Sequence, residues 1–393
     1  MARLLLIGGD TDHNLGDRAI LSALASELAK AAPGLEVTAV GRTSVRATLP
    51  PAIRDLIPPG PAGWSRLWAT AGASQAVAIH GGGLFQDDDS RVKMPYWGAR
   101  LGVLKRANPR LLGHSIGAGP LDRAASRSAA RFACAQLESI SVRDAFAHSA
   151  LASCTDKPMP IVPDPAFMLV PAPAAQARAL LRRLGLGNGK PLVGVAVRRW
   201  FHARGGFVPH RIRSTFELGR GTGAAELDSM LRRLADALAP LLRQLGAGLL
   251  LLPTYNVRHE ADDRVCQRLA ALLPGVPTAL ARIDDPALYK AVAGQLRLLV
   301  SARMHPLILA VGMGVPVVGL AYNGKFGGFF ELLGLPPRFA WLDEIGPRGP
   351  SADLESLFSD ALADAGDIGE RAHVLAARSA EGAVALLQRA GLA

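Results

Sequence analysis

The run Leu296-Arg-Leu-Leu-Val-Ser-Ala-Arg-Met-His-Pro-Leu-Ile-Leu-Ala310 decides the fold of this chain. Leu296 to Ser301 reads as a buried strand that ends in a cation and an imidazole. Pro306 suits the first turn of the helix that follows, because its fixed φ fits a helix start and its missing N–H is not needed there. Gly314 is expected to close that helix, and Val315-Pro-Val-Val-Gly-Leu320 reads as the next strand. Strand, helix and strand in succession imply parallel pairing. Arg303 and His305 then stand at the carboxyl end of a strand beside a helix amino terminus, where open α/β sheets bind anions. An arginine offers a bidentate fork to phosphate or carboxylate, and a histidine moves a proton near neutral pH. Two readings stay open: ligand machinery, or an Arg303 paired with a structural carboxylate and a His305 that caps the helix.

The same punctuation recurs on both sides of this run. In the first half, strands are expected over Arg3–Gly8, Val37–Val40, Ala76–His80, Leu111–Ile116 and Ser139–Val142, with a helix over Ala19–Ala29. Residues 160–190 carry five prolines and the glycine-rich end Gly185-Leu-Gly-Asn-Gly189, which reads as a connection holding one short helix. A second α/β unit opens with the strand Leu192–Val197 and Arg198-Arg199. It continues through the basic stretch Trp200–Gly223, helix Ala225–Leu245, strand Gly248–Leu252 and helix Glu260–Leu273. The expected organisation is a Rossmann-like domain over 1–170, a linker over 171–190 and a second such domain over 191–367. A carboxyl-terminal helix over 368–393 would cross back onto the first. Two doubly wound domains facing a central cleft describe a glycosyltransferase-B-like α/β fold.

Composition narrows the partners. The 393 residues carry a formal net charge of +11, and 49% are apolar but only 5% aromatic. The core is therefore built from Leu, Ala and Val, and the surface favours anions: phosphorylated small molecules, nucleic acid or an acidic membrane. No dense Lys/Arg tract or aromatic RNA-binding motif is present, which argues against nucleic acid. Cys134, Cys154 and Cys266 are far apart with no CxxC, so neither a disulfide framework nor a zinc site is expected. The Leu4-Leu-Leu-Ile7 run is too short for a signal peptide, and no apolar stretch reaches the ~20 residues of a membrane span. A cytoplasmic protein follows as the expectation, with peripheral contact to the inner membrane surface.

Further motifs sit where strands end. Asn14-Leu-Gly-Asp17 follows the first strand. Gly16 lets backbone approach a ligand and Asp17 caps the helix or binds sugar hydroxyls, against a plain capped loop with Asn14 in a left-handed turn. His80-Gly-Gly-Gly-Leu-Phe-Gln-Asp87 exposes the amides of Gly81–Gly83, with Gln86 and Asp87 as hydroxyl readers, against glycines that merely permit close packing. Asp87-Asp88-Asp89 reads as a solvated loop rather than a metal site. Arg143 is expected to pair with Asp144 or Asp164, and His114 to be structural. Arg198 and Arg303 are placed to hold two anionic ends of one small ligand, with Lys325 as a third cation.

Taken together these segments resemble the polysaccharide pyruvyl transferase family. The resemblance runs in order through Gly8–Leu21, Gly81-Gly-Gly-Leu-Phe-Gln-Asp87, Val142-Arg-Asp144 and Pro163-Asp-Pro-Ala-Phe167. It continues through Ser301-x-Arg303-x-His305, Gly314-Val-Pro-Val317, Tyr322, Lys325 and Leu332-Leu-Gly-Leu335. Arg18 and Pro306 depart from the family pattern. The resemblance implies transfer of the enolpyruvyl group of phosphoenolpyruvate onto two hydroxyls of a glycan, with a pyruvate ketal and phosphate as products. His305 and Arg303 would then be catalytic, and Arg198, Arg303 and Lys325 would bind the donor. Asn14, Asp17, Gly82, Gly83 and Gln86 would face a sugar or lipid-linked acceptor. No redox cofactor or metal is required. The rival readings are a glycosyltransferase of the same fold using a nucleotide sugar, with Glu331 as the acid of a ribose pocket, and a non-catalytic carbohydrate-binding protein.

Overall fold

In the computed structural model, residues 2–88, 90–200, 223–257, 260–345 and 353–392 are described. The basic stretch read between Trp200 and Gly223 falls almost wholly outside them, as does Asp89. The chain divides into two compact units.

The first unit contains β1 (Arg3–Ile7), α1 (Leu15–Ala31), β2 (Glu36–Val40), β3 (Ile53–Ile57), α2 (Trp64–Ala73), β4 (Ala76–His80) and β5 (Gly83–Phe85). It goes on through α3 (Lys93–Ala107), β6 (Leu111–Ala118), α4 (Ala124–Gln136), β7 (Ser139–Val142) and α5 (Ala145–Leu151). Its strands pair in the order β3-β2-β1-β4-β6-β5, with β7 also on β6, and every pairing is parallel. Parallel sheets are covered on both faces, so their strands read as continuous apolar runs. In β1, Leu5 and Ile7 enter one core and Leu4 and Leu6 the other, as the two-residue period of a strand requires.

The second unit contains α6 (Ala174–Arg183), β8 (Leu192–Ala196), α7 (Ala224–Leu245), β9 (Gly248–Leu251), α8 (Asp262–Ala271), β10 (Thr278–Leu280), α9 (Pro286–Ala293) and β11 (Leu298–Ser301). Then come α10 (Met304–Val311), β12 (Val317–Ala321), α11 (Lys325–Leu332), β13 (Phe339–Trp341), α12 (Leu342–Ile345), α13 (Leu354–Ala363) and, as far as His373, the start of α14 (Ile368–Ala390). Its parallel strands run β10-β9-β8-β11-β12-β13. Numbered within the unit, that is the 3-2-1-4-5-6 order of a Rossmann sheet. Leaving out the short β5, the first sheet has the same order. The proline-rich stretch from Val170 groups with the second unit, where α6 packs on α9. From Val374 onward the chain groups with the first unit: Ala383, Leu386, Leu387 and Ala390 of α14 share a core with Leu4 and Leu6. Among the described residues no helix is long and apolar enough to cross a membrane.

Several local expectations change. The helix after Arg303 ends at Val311 with Gly312 as its cap, although Gly314 does take a positive φ of 74°. Asn14 is extended at φ −98°, not left-handed, and its side chain accepts from the Gly16 amide at 3.0 Å. Asp87 is not solvated. It is fully buried and accepts from the amides of Asp122 (3.3 Å) and Arg123 (3.1 Å).

Candidate active site

A Rossmann sheet opens a crevice where its strand order reverses, between its first and fourth strands. In the second unit these are β8 and β11, and their carboxyl ends deliver Arg198 and Arg303. Ser301 fixes the turn after β11. Its hydroxyl accepts from the Arg303 amide (2.9 Å), lies 2.7 Å from the Arg303 carbonyl and 3.3 Å from that of Ala196. The site thus rests on the two neighbouring strands rather than on a free loop. Helix α10 starts one residue later, with Arg303 at its N-cap position and the half-buried His305 in its first turn.

Two carboxylates that the sequence reading did not single out organise these arginines. Arg303 Nε and Nη2 donate to Asp262 Oδ2 (3.0 Å) and Oδ1 (2.6 Å), a bidentate pair with a fully buried acid. Asp262 also accepts from the Tyr255 amide at 3.1 Å. Burial pushes the Asp262 carboxyl up and Arg303 pulls it back. Its short contacts with the guanidinium call for a carboxylate, and we take the pair as ionised. Burial opposes the charge of Arg303, yet Asp262 and Glu260 outweigh it and hold the guanidinium protonated beyond the ordinary arginine range. Glu260 bridges the two arginines: its Oε2 accepts from Arg303 Nη2 at 2.6 Å and from Arg198 Nη2 at 3.2 Å.

Aromatic rings complete the cluster. The Arg198 guanidinium lies 4.8 Å from the Tyr322 ring and 5.4 Å from that of Trp200, and the two ring centres are 4.1 Å apart with their planes tilted by 32°. Such faces favour a cation. Lys325 opens α11, contacts the Tyr322 hydroxyl and lies 4.1 Å from that ring's centre. Arg198, Arg303 and Lys325 are thereby brought into one network through Glu260 and Tyr322. Glu331 is exposed near the far end of α11.

The equivalent switch point of the first unit lies between β1 and β4. Here the loops are interlocked by close approach. The Asp17 carboxylate accepts from the Asp10 amide at 2.9 Å and fills the space where a Cβ on Gly9 or Gly82 would stand, 2.5 and 2.7 Å away. Gly82 has φ +38°, and a Cβ on Gly83 would lie 2.1 Å from Gln86 Oε1. Gly117 on β6 meets the Gly82 carbonyl so closely that its own Cβ would sit 2.0 Å from that oxygen. Arg18, a departure from the family pattern, is buried and donates to the carbonyls of Thr11 (2.9 Å) and Asp12 (2.7 Å). Asp17 and Gln86 are therefore inward-turned side chains that shape the loops.

His80, at the end of β4, and His114, in the middle of β6, are neighbours in register, both buried. Neither ring nitrogen of His80, nor Nε2 of His114, has a hydrogen-bond partner among the described residues. Burial holds both neutral, lowering His80 to about 4 and His114 to about 3. Arg143 is committed to both acids named for it, Asp144 (3.0 Å) and Asp164 (3.4 Å).

Two Rossmann-type units, each with polar loops at its switch point, define a protein of the glycosyltransferase-B-like class. Solved structures with this fold include a putative UDP-N-acetylglucosamine 2-epimerase from Listeria monocytogenes. It shares 15% identity at a TM-score of 0.59, over 98% of this chain and 94% of its own. The UDP-GlcNAc 2-epimerase of Neisseria meningitidis shares 10% identity at 0.54, over 100% of both chains. The E. coli ADP-heptose lps heptosyltransferase II shares 12% at 0.52, over 92% of this chain and 99% of its own. At such identities the likeness is one of fold. No curated protein matches the chain. The family is given by the sequence itself: residues 14–324 match polysaccharide pyruvyl transferase, and the chain belongs to that family.

Proposed function

We propose that the chain transfers the enolpyruvyl group of phosphoenolpyruvate onto two hydroxyls of a glycan or glycan precursor, forming a cyclic pyruvate ketal and releasing phosphate. The observation that carries this reading is the pair of guanidinium groups, from adjacent strands at a switch point, bridged by one carboxylate oxygen of Glu260. A pair that shares one oxyanion suits a donor with a carboxylate and a phosphate. Asp262 occupies the Nε–Nη2 edge of Arg303, leaving Nη1 for the ligand. Arg198 and Lys325 add charge on the other side.

His305 acts as general acid and base. It delivers a proton to the methylene carbon of the donor, and positive charge develops at C2, shared with the enol oxygen. A sugar hydroxyl bonds to C2 and returns its proton to His305. The bond from C2 to the phosphate oxygen breaks, and the second hydroxyl closes the ketal as its proton passes to the departing phosphate. Arg303 and the first-turn amides of α10 stabilise the charge on that phosphate. The reaction balances without a redox cofactor or metal. On the acceptor side, Asn14 and the amides of Gly82 and Gly83 meet the sugar, while Asp17 and Gln86 hold those loops in shape.

Calorimetric titration with phosphoenolpyruvate, UDP and GDP tests the reading. Phosphoenolpyruvate alone is expected to bind, and His305→Ala should keep that binding while transfer falls by roughly 10²–10⁴-fold. Binding of a nucleotide alone would replace pyruvyl transfer by glycosyl transfer from a nucleotide sugar. Near wild-type turnover by His305→Ala would remove His305 from the chemistry.

A further inference from the structure

Helices α3 and α4 pack on each other and share one core, into which Trp97, Leu101 and Leu104 point from α3 and Ala130, Ala133 and Cys134 from α4. Their outer surface has an unusual composition. Neither helix contains a single Asp or Glu, yet together they carry Lys93, Arg100, Lys105, Arg106, Arg127 and Arg131. That is more than half of the chain's formal net charge of +11. Among the described residues, five of these cations have no carboxylate partner. Arg106, Arg127 and Arg131 donate to the carbonyls of Gly102, Leu121 and Ser153, Lys105 to that of Pro109, and Arg100 to the Tyr96 hydroxyl. The nearest acids in sequence flank α4: Asp122 is exposed, and Glu138 lies 3.9 Å from Arg110.

Between the cations the surface is apolar. Tyr96 is 54% exposed and Phe132 51%, far more than the family of buried aromatics around them, and Val92 is exposed one turn before Tyr96. Phe132 lies over α3, where a Cβ on Gly102 would meet its ring at 3.0 Å. Pro95, Ala99, Ala124, Ala125 and Ala135 are also exposed, and Ser128 is the one exposed uncharged polar side chain of α4. Sequence-specific reading of a nucleic acid would call for more uncharged polar side chains than Tyr96 and Ser128 supply here. Long cationic side chains around protruding aromatic and aliphatic groups match a headgroup layer, where charge attracts anionic lipid and apolar tips enter the acyl boundary.

We propose that the α3–α4 face docks the protein on an anionic bilayer surface. The inference stands on charge and exposure within the first unit and holds whichever donor the protein uses. Its test is co-sedimentation of the purified protein with phosphatidylcholine vesicles, with and without phosphatidylglycerol. Retention is expected on the anionic vesicles alone and should fade as salt rises. Arg106→Glu with Arg131→Glu should weaken it roughly 30-fold or more, since each lysine or arginine near such a surface contributes about fivefold. The same double reversal at exposed Arg54 and Arg183, outside this face, should leave retention unchanged, and an unaltered melting temperature shows that both variants fold. Tyr96→Ser should weaken it further without changing the salt dependence. Equal retention on neutral vesicles, no retention on anionic ones, or wild-type retention by the Arg106/Arg131 variant would overturn the proposal. So would capture of polyuridylate in preference to vesicles.

Discussion

Glu260 holds the place where a donor oxyanion is proposed to sit, and Glu260→Gln tests whether it yields that place. Oε2 accepts from Nη2 of both arginines, at 2.6 and 3.2 Å, and the residue is buried. A hydrogen bond to a charged group contributes about 1.5–3 kcal/mol and a neutral one about 0.5–1.5. Replacing the carboxylate by an amide of the same shape therefore costs the ligand-free protein about 1 kcal/mol per contact, or about 2 kcal/mol in all. If the incoming anion displaces Glu260, the bound state loses nothing. The difference then appears as affinity, about 30-fold tighter binding of phosphoenolpyruvate. Calorimetric titration of wild type and variant with phosphoenolpyruvate, and with inorganic phosphate as a minimal anion, measures it. A modest fall in melting temperature should accompany the gain. Asp262→Asn should behave oppositely, because Asp262 grips the far edge of Arg303 and stays in place when ligand binds. Weaker phosphoenolpyruvate binding by Glu260→Gln would refute the displacement and make Glu260 a fixed support. The same pairing complicates the obvious variant. Arg303→Ala strands a fully buried Asp262, at a stability cost of about 3–5 kcal/mol, so Arg303→Lys is the cleaner probe of donor binding.

Two further outcomes follow from the first unit. His80 and His114 bind protons more weakly folded, at about 4 and about 3, than the ordinary value of 6.5. The unfolded chain therefore takes up more protons as pH falls from 6.5 toward 4, and stability should drop through that window, by roughly 3 kcal/mol from His80 alone. A urea midpoint that stays constant through this window would refute the buried neutral pair. Gly117→Ala drives a Cβ to 2.0 Å from a backbone carbonyl that cannot rotate away. It should cost on the order of 3 kcal/mol, while Gly366→Ala, with nothing within 4 Å, should be neutral; equal melting temperatures would contradict the close approach.

Elements bounded by clear punctuation, and the one long periodic helix at the end, were legible in the sequence. β4 and β7 have the bounds that their apolar runs suggest, and the final helix starts at Ile368 as expected and ends at Ala390. The strands the reading passes over share a physical reason. β5, β10 and β13 have three residues each, too few to show a period. β3 lies at a sheet edge with Arg54 and Asp55 in its middle, polar residues that an edge tolerates and a central strand would not. Glu260 and Asp262 escaped for another reason. They follow β9, and only the strand order makes β9 the neighbour of β8 and brings that loop to Arg198 and Arg303. Read locally, the same acids look like an ordinary negative start to a helix.

The two sheets share one strand order but have divided the chemistry at its reversal. In the second unit the loops after the first and fourth strands end in guanidinium groups, held by buried carboxylates and aromatic faces, and such a place binds oxyanions. In the first unit the corresponding loops are glycines locked against Asp17, with two neutral imidazoles beneath them, His80 ending β4 and His114 within β6. Without free guanidinium groups, such loops offer backbone N–H and C=O groups, which suit hydroxyls better than phosphates. Sheet topology alone does not predict that split. The residue types at four strand ends differ, and on that difference we propose the anionic donor for the second unit and the uncharged acceptor for the first.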